Sequence, residues 1–208
     1  MEQRSDSWFA ARVGKVTASR IADVVAKTRS GWGASRANYM GELIAERLTG
    51  SPASRYTNAA MQHGIDTEPE AIAALEFYAD VTVQPVGFVD HPTIAMSGAS
   101  PDGLIGEDGL CEVKCPQTST HLDTLLGASI PNKYLLQMQW QLACTGRQWC
   151  KFASYDPRLP EEMKIHITHV QRDYKLFAEL ETQVLQFLQE LDSKVQELTR
   201  IYLSEKAA

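Results

Sequence analysis

The sequence lacks the features of a membrane or secreted protein. Its 208 residues contain no apolar run of about 18 residues, the length a membrane-spanning helix needs. Residues 1–6 are polar and no apolar stretch follows them, so we expect no secretory signal and a cytoplasmic location. The four cysteines are then expected to be reduced thiols rather than disulfides.

Histidine and cysteine are also too few, and too irregularly spaced, to predict a metal site of nitrogen or sulfur ligands. The five histidines form no H-x-x-E-H or similar pattern. Cys111 and Cys115 have the spacing C-x3-C, and Cys144 and Cys150 have the spacing C-x5-C. Neither spacing suits an iron–sulfur cluster, so we expect neither a cluster nor a structural zinc.

The composition is that of a globular protein, with 44% hydrophobic and 22% charged residues, and the length suits one domain over residues 1–208. The formal net charge is −6, but residues 1–60 carry nine Lys or Arg against five Asp or Glu. Such a basic segment can face a polyanion such as DNA, although a chance grouping of solvated charges explains it equally well. Charge alone therefore leaves the function open.

The order of the expected elements predicts an α/β (α+β) fold, with a central sheet flanked by helices. Helices are predicted at residues 7–27 (with a new start after 17–19), 36–49, 59–78, 132–145 and 172–206. Strands are predicted in short runs between 81 and 115, then at 149–155 and 163–170. Pro69 is expected to break or kink its helix, or to begin a new one. The apolar stripe of the last helix predicts core or a subunit interface.

The residues that predict chemistry are Asp102, Glu112 and Lys114. Alternate side chains of a strand share a face, so Glu112 and Lys114 point the same way and the neighbouring cysteines point to the other side. A turn at Asp108 and Gly109 folds the preceding segment back, which can carry Asp102 alongside Glu112. Two carboxylates and one ammonium group would then converge at the end of a hairpin.

Such a group of side chains suits phosphodiester hydrolysis. Carboxylate oxygens bind Mg²⁺, which activates a water molecule and shields the negative phosphate. The lysine would orient that water or help to deprotonate it, and stabilise charge developing on the phosphate. The alternative is an exposed hairpin with a cross-strand Glu–Lys pair, which contributes only about 0.2–1 kcal/mol. A D-x(n)-E-x-K pattern by itself does not decide between the two.

The flanking residues make the pattern specific. The motifs are S-P-D-G at residues 100–103, E-V-K-C-P at 112–116 and Q-M-Q at 137–139, with further matches at 8–14, 17–19, 64–68 and 155–158. In this order and spacing, over roughly residues 6–172, the sequence resembles the lambda-type phage exonucleases, the YqaJ-like viral recombinase group of the PD-(D/E)xK nuclease superfamily. The resemblance implies a restriction-endonuclease-like core with a central mixed sheet.

The resemblance also implies roles for individual residues. Asp102, Glu112 and the backbone carbonyl of Val113 would hold metal, and Lys114 would assist the nucleophilic water. Glu68, on an upstream helix, would contribute to the site as well. Without the resemblance, Glu68 would be interpreted as a first-turn helix acid favoured by the helix dipole.

Further implied residues concern the DNA end. Arg12, Ser19, Ser100 and Gln137 would anchor the 5′-terminal phosphate, for which an arginine fork and hydroxyl groups are suitable partners. Met61 stands where the family can carry an apolar wedge that unpairs the duplex end, although a core role is equally compatible with a methionine.

The function implied by the resemblance is a 5′→3′ exonuclease that degrades one strand of double-stranded DNA to mononucleotides and leaves 3′ single-stranded overhangs. It would use Mg²⁺, as two ions, with Mn²⁺ able to substitute. A homotrimeric ring around DNA, a single-strand annealing recombinase as partner, and the cytoplasm of a bacterial host are implied too. The alternatives are a relative with other polarity or endonuclease activity, and a non-catalytic DNA-binding adaptor.

Overall fold

A computed structural model describes residues 1–52 and 58–203 of the chain. Within these residues the helices are α1 (Asp6–Arg12), α2 (Ile21–Val24), α3 (Ala34–Thr49), α4 (Ala59–Ala79), α5 (Thr118–Leu125), α6 (Asn132–Thr145) and α7 (Tyr174–Tyr202). Short 3-10 turns lie at Ala18–Arg20 and Glu161–Met163. None of the described helices is long and apolar enough to cross a membrane.

The strands form a mixed sheet and two smaller ones. They are β1 (Val16–Thr17), β2 (Lys27–Thr28), β3 (Gly31–Trp32), β4 (Val83–Gln84), β5 (Val89–Asp90), β6 (Ser97–Ala99), β7 (Gly103–Ile105), β8 (Gly109–Lys114), β9 (Trp149–Tyr155) and β10 (Ile165–Gln171). The five-stranded sheet has the order β10-β9-β8-β7-β4, and only β8 and β9 run parallel in it. The expected fold, a mixed sheet flanked by helices, is confirmed.

Strand β8 is buried on both faces, and its side chains alternate between two helices. Cys111 and Val113 belong to an apolar cluster with Ala71 and Leu75 of α4. On the opposite face Leu110 packs in a second cluster with residues of α6. The polar residues of β8 therefore lie on the α6 face, and the apolar residues between them secure α4 to the sheet.

The long C-terminal helix α7 belongs mainly to the core. Its central residues Leu180, Val184 and Phe187 are buried against α2, α3 and α6. The distal end is different, since Tyr202 is 67% exposed. The helix spans most of the predicted range 172–206, of which residues 204–206 lie outside the described residues. The apolar stripe was predicted to belong either to the core or to a subunit interface, and its central part belongs to the core.

The predicted helix at residues 7–27 is wrong in its middle part. Helix α1 ends at Arg12, and Gly14 then adopts a left-handed φ of 69°. The chain continues as β1, whose Val16 and Thr17 pair in parallel with β6. Because that partner strand lies some 80 residues further along the chain, local sequence patterns carry no signal for it.

Two further differences concern helices. Helix α4 is continuous through Pro69, so neither the predicted break nor the predicted start of a new helix occurs there, although the proline removes one backbone donor from the helix. Helix α5 lies where no helix was predicted. It is held by a tertiary contact, because buried His121 bonds the hydroxyl of Ser154 (2.7 Å) and the carbonyl of Met163 (2.8 Å).

A salt bridge after β9 connects that strand to the end of β8. The Arg158 guanidinium donates to both oxygens of buried Asp156, at 2.7 and 3.0 Å, and to the carbonyl of Pro116 at 3.3 Å. Burial acts to raise the pKa of Asp156, but hydrogen bonds from Arg158 and Thr118 outweigh it and lower that pKa to about 2. The pair thus stabilises the region next to Lys114 in the ionised form of Asp156.

We expect Asp156→Asn to lower the free energy of unfolding at neutral pH. Because the folded pKa lies below the ordinary value, the stabilisation is fully present above about pH 4 and is lost as the pH falls through 2. Urea denaturation between pH 2 and 7 should show wild type and variant converging at the acid end. A difference that stays constant with pH, or one equally large for the exposed turn variant Asp108→Asn, would contradict this assignment.

Candidate active site

The β7–β8 hairpin brings Asp102 beside Glu112. Gly103 pairs with Cys111 in the antiparallel register, so the preceding Asp102 stands opposite Glu112. The Asp102 carboxylate accepts a hydrogen bond of 2.6 Å from the backbone N–H of Val113. Glycine is required at 103, since a Cβ there would lie 2.1 Å from the Val83 side chain of β4. The predicted hairpin geometry of the two carboxylates is therefore present.

The Glu112 carboxylate is fully buried and is held by three donors. Its Oε1 accepts from the Lys114 ammonium and, at 2.7 Å, from Gln137 Nε2. Its Oε2 accepts from Gln141 Nε2 at 2.6 Å. Gln137 and Gln141 lie one turn apart on α6 and reach the sheet from the same side. A buried carboxylate needs such donors to offset its desolvation, so the two glutamines of α6 hold the Glu112 side chain in place.

The carboxylates repel one another. Burial raises the pKa of Asp102 well above its usual range, and the negative charges of Glu112 and Glu68 raise it further. Burial acts to lower the pKa of Lys114, but Glu112 and Asp102 more than offset it, so the net shift is upward. Lys114 is thus an ammonium ion at neutral pH, and it only partly neutralises the acidic group.

The oxygen atoms of this group fit a hard divalent cation. No three or more His, Cys, Asp or Glu side chains within residues 1–52 and 58–203 form a complete metal-binding cluster. Mg²⁺ does not need one, because it is commonly bound by one or two carboxylates and completes its shell with water and phosphate oxygens. Asp102, Glu112 and the Val113 carbonyl are groups of the kind that could hold such a cation, which would relieve the repulsion that, after burial, raises the pKa of Asp102.

A second group of residues surrounds Arg12. Its guanidinium lies 4.0 Å from the ring centre of Trp8 and donates to Ser100 Oγ at 3.2 Å, and Trp8 Nε1 donates to the same oxygen at 2.9 Å. Burial lowers the pKa of Arg12, and the charge of Glu46 partly opposes this shift. Within the described residues no carboxylate forms a direct ion pair with Arg12. A partly buried cation without a direct carboxylate partner is suited to bind an anion.

One cleft of about 960 Å³ contains both groups. Every site residue named from the sequence lines it: Arg12, Ser19, Met61, Glu68, Ser100, Asp102, Glu112, Val113, Lys114 and Gln137. These residues come from α1, the 3-10 turn after β1, α4, the β6–β7 loop, β8 and α6. The structure thus brings together residues that are up to 125 positions apart in the sequence (Arg12 and Gln137).

Met61 and Cys115 both border the cleft. Met61 is 52% exposed, so its side chain belongs to the cleft wall and not to the core. Cys115 packs against the apolar cluster beneath α4 but also borders the cleft. Burial and the carboxylates of Glu68 and Asp102 raise the pKa of the Cys115 thiol to about 12. That thiol is protonated at neutral pH and is not a ready nucleophile.

The basic N-terminal third does not face the cleft as a whole. Arg20, Arg36 and Arg47 form ion pairs with acidic residues elsewhere in the fold. Arg4 and Arg12 are the arginines among the described residues of this segment that line the cleft. The uneven charge distribution was therefore a poor guide to the binding surface.

Several residues of the site were not assigned a role from the sequence: Arg4, Trp8, Lys133, Tyr134 and Arg158, which line the cleft, and Gln141, which is buried and donates to Glu112. Gln141 could have been found, because it lies one helical turn after Gln137 on the same face. Trp8 and Arg158 lie in matched motifs. Arg4, Lys133 and Tyr134 gave no local signal, since only the tertiary fold brings them to the cleft.

Known proteins are similar to this chain in sequence and fold. The alkaline exonuclease LHK-Exo from Laribacter hongkongensis is 51% identical to this chain, over 98% of this chain and 100% of its own, with a TM-score of 0.89. The structure of LHK-Exo in complex with dAMP has the same identity and coverage and a TM-score of 0.90. A phage-related exonuclease from Haemophilus somnus 129PT is 14% identical, over 88% of this chain and 96% of its own, with a TM-score of 0.73, and shows the fold alone.

The enzyme class expected from the sequence, an exodeoxyribonuclease, is confirmed by the likeness to LHK-Exo over nearly the whole of both chains. Residues 7–148 match the YqaJ-like viral recombinase domain, which is more than half of the chain. The chain belongs to the YqaJ-like viral recombinase family.

We expect Gln141→Leu to weaken the site through Glu112. Without the Gln141 amide, Glu112 Oε2 loses its donor inside the protein, which should cost about 1–3 kcal/mol of unfolding free energy. Affinity for Mn²⁺, measured by titration calorimetry, should fall roughly tenfold to a hundredfold. Gln139→Leu is the matched control, because that buried glutamine of α6 bonds the Gln171 carbonyl instead. Equal Mn²⁺ affinities for the two variants would limit Gln141 to a structural role.

Proposed function

We propose that the chain is a Mg²⁺-dependent 5′→3′ exonuclease, which degrades one strand of double-stranded DNA from its ends to mononucleotides and leaves 3′ single-stranded overhangs. The observation that carries the proposal is that one cleft holds both a carboxylate–lysine group and an arginine without a carboxylate partner among the described residues. The first suits cleavage of a phosphodiester, and the second suits capture of a terminal phosphate.

The proposed metal ligands are Asp102, Glu112 and the Val113 carbonyl, with Glu68 contributing from α4. Two Mg²⁺ ions are proposed, and Mn²⁺ is a suitable substitute because it shares the preference for oxygen ligands. When bound, the cations supply an activated water and neutralise charge on the phosphate. Gln137 and Gln141 keep the Glu112 carboxylate oriented toward the cleft.

Lys114 is proposed to position the attacking water and to stabilise the phosphate. Its Nζ donates to Glu112 Oε1 and carries a further two protons for other acceptors. The Lys114 side chain is 27% exposed, whereas that of Glu112 is not exposed at all. Of the two, Lys114 is therefore the more accessible to a phosphate in the cleft.

The direction of digestion is assigned to the pocket around Arg12, Ser19, Ser100 and Gln137. A 5′-terminal phosphate bound by Arg12 and Ser100 would put the first phosphodiester near the carboxylates. The complex of the 51% identical LHK-Exo with dAMP, a deoxynucleoside monophosphate, supports a mononucleotide product. Met61 is exposed at the cleft wall and is proposed as the wedge that separates the strands.

The proposed biological role is recombination by strand annealing. A 3′ overhang is the substrate that a single-strand annealing recombinase requires, and such a protein is the proposed partner. A homotrimeric ring around DNA is proposed from the family resemblance. The exposed apolar residues at the end of α7, among them Tyr202, are available for a subunit contact, whereas the central stripe is already used in the core.

Removal of the proposed catalytic groups should abolish digestion but not binding. We expect Asp102→Asn and Lys114→Met each to lower the Mg²⁺-dependent rate on linear duplex DNA at least about a hundredfold. DNA affinity measured in Ca²⁺ should stay within a few fold. The controls Asp108→Asn and Lys151→Met change the same residue types outside the cleft and should retain wild-type rates. Wild-type protein that leaves linear duplex DNA intact in Mg²⁺ would end the nuclease assignment.

The phosphate pocket predicts a preference for phosphorylated ends. A duplex with 5′-phosphate ends should be digested roughly tenfold to a hundredfold faster than the same duplex with 5′-hydroxyl ends, the worth of one charge-assisted hydrogen bond or more. Arg12→Gln should remove most of this ratio, and Arg20→Gln, whose guanidinium is paired with Glu42 outside the cleft, should preserve it. Equal rates in wild type, or digestion from 3′ ends, would refute the pocket assignment.

A further inference from the structure

The segment before α1 lies along the cleft and is held there by several contacts. Gln3 Nε2 donates to the carbonyls of Val86 (2.9 Å) and Pro101 (2.7 Å), and Pro101 directly precedes Asp102. The Met1 carbonyl approaches Gly87 so closely that a Cβ there would lie 2.4 Å from it. The segment is thus packed against the loop that carries Asp102, and its position relative to the active site is defined.

Arg4 is directed from this segment to the carboxylate of Glu68. Its Nη2 donates to Glu68 Oε2, and both residues line the cleft. Arg4 has a φ of 66°, which a residue with a Cβ rarely adopts. Ser5 follows at once as the N-cap of α1, with its Oγ accepting from the Trp8 N–H. The backbone is therefore turned at Arg4, and the turn lies between the contacts of Gln3 and the start of α1.

Arg4 pairs with Glu68, the carboxylate that is proposed to contribute to the metal site. Glu112 and Glu68 each accept from a cation of the chain itself, Lys114 in one case and Arg4 in the other. The two pairs differ in burial. Glu112 is not exposed at all, whereas the side chains of Arg4 and Glu68 are 41% and 23% exposed. A half-exposed ion pair is weak, so a divalent cation can replace its guanidinium.

A displaced Arg4 would still lie in the DNA-binding cleft. The Gln3 contacts and the α1 cap hold the backbone on either side of it, and these contacts do not involve Glu68. The flexible side chain would then carry an unpaired guanidinium beside the metal ligands. In a cleft that takes DNA, the available anionic partner for it is a backbone phosphate.

We propose that Arg4 is a counter-ion exchanged during substrate binding: it pairs with Glu68 in the metal-free protein, yields that carboxylate to the divalent cation, and then binds a DNA phosphate. The inference rests on the proposed function, because it uses Glu68 as part of the metal site. It adds a positioning residue that couples metal occupancy to DNA affinity.

The first test measures Mn²⁺ affinity by titration calorimetry without DNA. Arg4→Gln should tighten Mn²⁺ binding roughly twofold to fivefold, the worth of a half-exposed ion pair. In a Glu68→Gln background the same change should have no effect, because the competing pair is already absent. Arg4→Lys should stay near wild type. A gain of the same size in both backgrounds would mean that Arg4 acts only through its overall charge, and no gain in either would mean that it does not compete with metal.

The second test measures the salt dependence of duplex DNA binding by fluorescence anisotropy. In Ca²⁺, the slope of log Kobs against log salt should be shallower by about 0.9 in Arg4→Gln than in wild type, corresponding to one lost phosphate contact. In EDTA, where Arg4 stays paired with Glu68, the two slopes should agree. Arg200→Gln removes an arginine that is paired with Glu197 on the exposed end of α7 and should match wild type in both conditions. A shallower slope in EDTA as well, or in neither condition, overturns the exchange.

The variant Asp102→Asn separates this inference from the proposed function. If Asp102→Asn leaves Mn²⁺ affinity unchanged, the metal site itself is wrongly placed and the inference fails with it. If Asp102→Asn loses Mn²⁺ binding while Arg4→Gln changes neither the Mn²⁺ affinity nor the salt slope, the metal site holds and only the exchange is refuted.

Discussion

The burial of the Glu112 carboxylate is the constraint on which the rest of the site depends. A carboxylate without contact with water is stable only when its oxygens accept hydrogen bonds from well-placed donors. Lys114 supplies one from the same strand, and Gln137 and Gln141 supply two from α6. Because both glutamines lie on one helix, α6 has to cross β8 at one register. The packing of one face of the sheet and the geometry of the active site are therefore set by the same contacts.

The two faces of strand β8 differ in role: one packs in the core, and the other carries a residue of the active site. The apolar side chains of Cys111 and Val113 secure α4 to the sheet, and α4 carries Glu68 one turn before its buried residue Ala71. The opposite face holds Glu112 beneath α6. Two helices that pack on different faces thus deliver groups to the same cleft, which lies at the end of the strand. The alternation of side chains along a strand is the physical reason that this is possible.

The charge of the cleft depends on which cations are left without acidic partners. Arg36 and Arg47 belong to the basic N-terminal third, but their ion pairs with α7 use them to hold the fold together. Arg12 has no carboxylate partner among the described residues and is therefore available to an anion. Arg4 is intermediate, because its partner is itself a residue of the site. The net charge of a segment does not show which of its arginines are paired with carboxylates. For this reason the net charge did not predict the function.

The hairpin with Asp102, Glu112 and Lys114 was determined by the sequence itself, because strand alternation and a turn signal act over about a dozen neighbouring residues. The turn itself lies at residues 106–108 and not at Asp108 and Gly109 as predicted, since Gly109 already pairs with Ile105 as the first residue of β8. Helices α3, α6 and α7 were predictable for the same reason, since their apolar periodicity is local. The short strand β1, the continuity of α4 through Pro69 and the existence of α5 were decided only by the tertiary structure, because their stabilising contacts lie far away in the chain. The same holds for Arg4, whose partner Glu68 is 64 positions distant, and no local pattern encodes a contact of that separation. For Gln141 the helical spacing after Gln137 is a local signal, but its contact with Glu112, 29 positions away, was decided by the tertiary structure.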